Sequence, residues 1–203
     1  ELLRDLLLEA FKYQAASASR RVSMLNSADD DAARRYRPRT PNMIKLQGEG
    51  KFNWTLKNFS SSGSAEERLY SPPFSYGDIT FILLFFPKGN QQREFASLYV
   101  SIADKTRLPP HWRRNVQFSL WVVDQKESLC SITKSTQGEL SNQVLDWGFT
   151  ELIPISTLHS PNHGYILDET LQFTIQFERI TEGSHRTSGM CSTSGGSMPT
   201  LYG

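Results

Sequence analysis

The sequence predicts an all-β domain, an antiparallel sandwich of seven or eight strands preceded by an amphipathic helix and an extended arm. Three observations carry this. Apolar residues alternate with polar ones at Leu98, Val100 and Ile102, at Val116, Phe118, Leu120 and Val122, and at Leu171, Phe173, Ile175 and Phe177. A period of two marks half-buried strands. Turn signals recur at Ser61-Ser-Gly63, Pro72-Pro73, Pro87-Lys-Gly-Asn90, Pro109-Pro110, Gln137-Gly138 and Pro161-Asn-His-Gly164, and they cut the pattern into short segments. All four Trp and most Phe of the 203 residues fall between Phe52 and Phe177, so the apolar mass suits one core.

Taken in order, residues 2–20 place Leu3, Leu6, Leu7, Ala10 and Phe11 on one stripe at helical spacing. A helix this short is marginal alone. Its stripe therefore needs a surface: the domain itself, a second copy of the chain, or a partner helix. Residues 23–49 read as a polar and basic linker or arm, with Arg34, Arg35, Arg37 and Arg39 bunched and Pro38 and Pro41 breaking any helix. Arg20-Arg-Val-Ser23 resembles a site for basophilic kinases. The sandwich is expected over residues 50–180, and within it Ile155–Leu158 suits a helical turn or two. Residues 181–203 contain 14 Gly, Ser or Thr, too little apolar area to order a tail by itself.

Charge and composition exclude several classes. The net charge is +1, and residues 44–180 balance 13 Lys and Arg against 14 Asp and Glu, so no nucleic-acid partner is expected. The longest apolar run, Phe81-Ile-Leu-Leu-Phe-Phe86, is closed by Pro87 and is far shorter than a bilayer span, so no membrane insertion is expected. The leucines near Glu1 are interrupted by charges and read as neither a signal nor a transit peptide. Cys130 and Cys191 form neither a disulfide framework nor a zinc spacing, which suits an intracellular, cytoplasmic protein. Cys130, in an alternating stretch, is expected to be a small buried side chain. His159 and His163 straddle Pro161 without a third ligand. No metal, cofactor or catalytic residue is expected. His111-Trp112-Arg113-Arg114 reads as a solvated loop, and the sequons at Asn53 and Asn58 read as coincidence.

The strand segments carry a set of words in a fixed order: Trp54-Thr-Leu56-Lys-Asn58-Phe59, Tyr70-Ser-Pro-Pro-Phe74, Gly77-Asp-Ile-Thr-Phe81, Phe86-Pro-Lys-Gly89, Ser97-Leu-Tyr-Val100, Asp146-Trp-Gly-Phe149 and Gly164-Tyr-Ile-Leu-Asp-Glu-Thr-Leu171. Together they resemble the MATH (meprin and TRAF homology) domain over residues 50–180. The Asp-Trp-Gly-Phe word is similar to the speckle-type BTB adaptors and to the N-terminal domain of a ubiquitin-specific protease.

The resemblance implies a non-catalytic module that takes an extended peptide along a sheet edge. Main-chain hydrogen bonds would hold the peptide, and shallow pockets would select its side chains. On the family pattern the edge strand carries Asp146, Trp147, Gly148 and Phe149. Trp147 and Phe149 share one face, and Trp147 serves either as groove surface or as structural packing. Gly148 would let the peptide approach, Tyr99 would donate its hydroxyl to a Ser or Thr, and Asp146 would receive an amide or a basic side chain. Val116 stands where the adaptors have an aromatic groove residue, and Glu139 or Leu140 where they have a tyrosine. The adaptors' serine-rich motif therefore does not transfer directly.

Three functions follow: a peptide-binding adaptor, related to ubiquitin substrate recruitment and oligomerising through residues 2–20; an architectural subunit of a large assembly, cytoskeletal for example, docked through its sandwich and its two extensions; or a targeting fragment of a deubiquitinase.

Overall fold

The computed structural model describes residues 44–59, 67–90 and 93–183. The expected N-terminal helix, Ser23, the Arg34 to Arg39 cluster, the turn at 61–63, Cys191 and the tail from residue 184 lie outside them.

Eleven strands and one short helix follow in order among the described residues: β1 Ile44–Lys45, β2 Lys51–Leu56, β3 Leu69–Tyr70, β4 Phe74–Tyr76, β5 Ile79–Phe86, β6 Phe95–Ile102, β7 Arg113–Val122, β8 Ile132–Ser141, β9 Asp146–Pro154, α1 Ile155–Leu158, β10 Ile166–Leu167 and β11 Thr170–Glu182. The first sheet runs β1-β4-β5-β6-β9, with β3 also on β5. The second runs β10-β11-β7-β8, with β2 also on β11. All pairings are antiparallel except β1 with β4. Two strands overrun the expected limits: β1 lies in the stretch read as arm, and β11 continues to Glu182.

Local sequence explains the hairpins. Gly77, at φ 66, turns the chain between β4 and β5. Asp168 and Glu169, at φ 48 and 53, form the two-residue turn between the paired residues Leu167 and Thr170. Both central residues of such a hairpin need positive φ for its twist to match the strands.

The two sheets meet through aromatic side chains. Phe177 of β11 is the hub, with ring centroids 4.8 Å from Phe81, 6.0 Å from Phe118 and 5.2 Å from Tyr76. Phe173, four residues back on the same face, lies 4.7 Å from Phe85 and 5.4 Å from Trp54. Phe52 stacks on Phe74 at 4.0 Å. Dispersion and area burial of this density hold a sandwich together without covalent links.

Asp124 organises the loop between β7 and β8. Its Oδ1 accepts from the main-chain N–H groups of Lys126, Glu127 and Gly164, each at 3.0 Å. The Ser131 hydroxyl accepts from the Asp124 N–H at 3.0 Å, and the Tyr165 hydroxyl donates to the Cys130 carbonyl at 2.8 Å. One carboxylate thus pins this loop to the turn before β10.

Three expectations fail here. Cys130 is exposed, because it closes a single 3-10 turn, Ser128–Cys130, where the alternation of the strand has already ended. Gln137-Gly138 is no turn: Gly138 sits inside β8, opposite Val116, under a bulky neighbour. His111 to Arg114 is no solvated loop either, since Trp112 is buried in the core and the Arg114 guanidinium bonds Asp78 at 2.9 Å from the start of β7.

Candidate functional site: the edge strand β9

β9 ends the first sheet and β8 ends the second, and the two edges lie side by side, since Trp147 and Lys134 bond across from one to the other. Strand β9 pairs with β6 in the register Ser101 with Asp146, Val100 with Trp147, Tyr99 with Gly148 and Leu98 with Phe149. The Ile102 N–H donates to the Leu145 carbonyl at 2.9 Å, which fixes the phase of the ladder. Antiparallel pairs alternate between exchanging hydrogen bonds and turning their main-chain groups outward. By that alternation Trp147 and Phe149 bond β6, while the N–H and C=O of Asp146 and Gly148 turn to the far side.

The side chains alternate in the same way. Phe149 follows Leu98 into the core and is 4% exposed. Trp147 follows Val100 inward but reaches the gap between the sheets, where its indole N–H donates to Thr136 Oγ1 on β8 at 3.2 Å. A Cβ on Gly138 would stand 2.2 Å from the indole, so the ring lies flush on that glycine. Through these two contacts the half-buried Trp147 joins the two edges. Gly148 is buried, and a Cβ there would stand 2.3 Å from the Leu98 carbonyl oxygen and 2.6 Å from Tyr99 Cα. The close approach it permits is to its own neighbour β6.

On the outer face Tyr99 is half-buried, edge-on to Phe86 at 5.9 Å. Its hydroxyl donates to Thr150 Oγ1 at 3.0 Å, so its proton is already committed inside the protein. Burial pushes the Tyr99 hydroxyl above its ordinary pKa, and the charge of Asp146 adds to the rise against the opposing bond from Thr150. Asp146 is half-buried at the start of the strand. Val116 is 1% exposed, on β7 between Gly138 and Ile180; it is a core residue of the other sheet and does not line this edge.

Beyond Phe149 the ladder is irregular, with a register shift between Ala96 and Leu98. There the Ser97 hydroxyl donates to the Thr150 carbonyl at 2.5 Å. Lys134 of β8 donates to the Glu151 carbonyl, and its ammonium lies 5.8 Å from the centre of the Phe149 ring. Burial lowers the Lys134 pKa, partly offset by the charge of Glu151. The sequence reading missed Lys134, Thr136, Gly138 and Thr150. No local signal carries them, because each matters only through a partner on another strand.

Among the described residues no group of His, Cys, Asp and Glu is placed to hold a metal ion. No helix among them is long and apolar enough to cross a membrane.

A two-sheet sandwich whose first sheet ends on an Asp-Trp-Gly-Phe strand defines a class of interaction domain. The chain belongs to the MATH domain family, whose model matches residues 51–177. Ubiquitin C-terminal hydrolase 12 of Arabidopsis thaliana is 38% identical over 121 residues, which is 60% of this chain and 11% of that protein. A MATH domain and coiled-coil domain-containing protein of the same plant is 38% identical over 129 residues, 63% of this chain and 42% of the relative. The chain therefore spans less than half the length of either relative. Notothenia coriiceps TRAF5 shares the fold, with a TM-score of 0.56, 19% identity and coverage of 90% of both chains. The MATH domain is a non-catalytic protein-interaction module, and the chain is similar to the MATH regions of ubiquitin hydrolases and of coiled-coil proteins.

Proposed function

We infer that the protein is a non-enzymatic intracellular adaptor whose β9 edge takes an extended peptide from a partner protein. The observation that carries the reading is the position of Asp146 to Phe149 on the terminal strand of a sheet, with the main-chain groups of Gly148 phased away from β6. A short segment of the partner would add as a further strand. Asp146 offers it charge, and Tyr99 offers hydroxyl lone pairs, since its proton serves Thr150. The relatives named for a coiled coil support residues 2–20 as an oligomer seam, which would raise the effective concentration of a modest groove. The relatives named as ubiquitin hydrolases favour substrate recruitment as the setting.

The test is selection of phage-displayed random 12-residue peptides on the full chain, followed by amide hydrogen exchange of the protein with and without a selected peptide. Slower exchange at Gly148 supports the reading. Failure to select any peptide, or protection confined to another surface, refutes it.

A further inference from the structure

The edge of β9 is not uniform along its length. From Asp146 to Phe149 it is regular, and every second residue turns its main chain outward. After Phe149 two things change together. The ladder shifts register against β6, and the main-chain carbonyls of Thr150 and Glu151 are taken by side chains, Ser97 for the first and Lys134 for the second. A bulge of this kind ends regular pairing and bends its strand. A lysine laid on a sheet edge is a known way to stop another strand from continuing along it.

Lys134 is suited to this role by where it comes from. It stands on β8, the terminal strand of the other sheet, and crosses the gap between the sheets to reach β9. Its stem is half-buried and its ammonium lies over the Phe149 ring, so the head is held in place. A strand that continued past Thr150 would have to displace the ammonium from the Glu151 carbonyl before it could use that acceptor.

We propose that Lys134 is the stop of the docking edge: it fixes the register of an added peptide and limits its paired core to roughly five residues, the stretch facing Asp146 to Thr150. This rests on the reading of β9 as a peptide edge. The partner is thus a short linear motif in a protein, whose flanking residues on the Lys134 side leave the sheet.

The experiment uses the full chain as wild type, Lys134→Met, Lys134→Gln and Lys134→Arg, each checked for an unchanged melting profile. Peptides selected from the phage-displayed 12-residue library on wild type are trimmed and extended one residue at a time, and Kd is measured for each length. On wild type and Lys134→Arg, affinity should stop improving once about five residues are paired. On Lys134→Met and Lys134→Gln, two further residues on the same side should tighten binding roughly 2- to 10-fold, as one or two new main-chain bonds would.

Identical length profiles in all four proteins would overturn the stop while leaving the peptide edge standing. A uniform loss of affinity at every length in the neutral variants would also overturn it, since Lys134 would then be a direct contact. If no peptide is selected, or none protects Gly148, the edge reading itself fails and the stop with it. If Lys134→Met does not fold, the neutral Lys134→Gln alone decides the outcome.

Discussion

A glycine under an indole decides how the two edges meet. Gly138 has no room for a side chain because Trp147 lies on it, and the same indole donates to Thr136. Replacing Gly138 by Ala should therefore cost about 1–3 kcal/mol in urea unfolding, the range for an overpacked site. In a Trp147→Leu background the same change should cost far less, so the cycle should show a coupling above roughly 1 kcal/mol. Additive losses would mean that the ring and the glycine do not act as a pair. Gly148→Ala makes a harder clash, against main-chain atoms of Leu98 and Tyr99 that cannot rotate away. It should destabilise by about 3 kcal/mol or more and shift the amide resonances of β6. The Asp-Trp-Gly-Phe word was legible in the sequence; its orientation was not. Two-residue periodicity places Trp147 and Phe149 on one face, but only the partner strand shows that this face is the inner one.

Among the elements, the loop between β7 and β8 depends on one buried carboxylate. Burial by itself would raise the Asp124 pKa. The three N–H donors and nearby His163 outweigh it and hold the carboxyl below its ordinary range. A carboxyl whose folded value is depressed contributes stability that is fully present above its unfolded value near 4 and is lost as pH falls through the folded value. Asp124→Ala should cost about 3 kcal/mol near neutral pH, because buried N–H groups lose their acceptor. Asp124→Asn keeps an oxygen there and should cost about half as much. The gap between wild type and Asp124→Asn should narrow when urea midpoints are compared at about pH 3 and pH 7; a constant gap would contradict the charge argument. Alternation made β6, β7 and β11 readable, since each buries one face. It misled at Cys130, where apolar spacing ran on into a 3-10 turn, and at Gly138, where a packing glycine imitated a turn signal. Arg114 and Trp112 were hidden because their partners, Asp78 and the core, come from remote stretches.

At the scale of the whole molecule the aromatic contacts of β11 tie the two sheets into one buried core. Phe177→Ala removes the ring that touches Phe81, Phe118 and Tyr76, and should cost roughly 3–5 kcal/mol. Tryptophan fluorescence and far-UV circular dichroism should still report a single shared transition in urea; separate midpoints would show that the sheets unfold independently. The order of the first sheet adds a point of layout. β1, where the chain enters from residue 43, and β9 stand at opposite ends of that sheet, four strand spacings or about 19 Å apart. The chain thus joins the sandwich at the end of the first sheet remote from Gly148, and that junction leaves the β9 edge unobstructed.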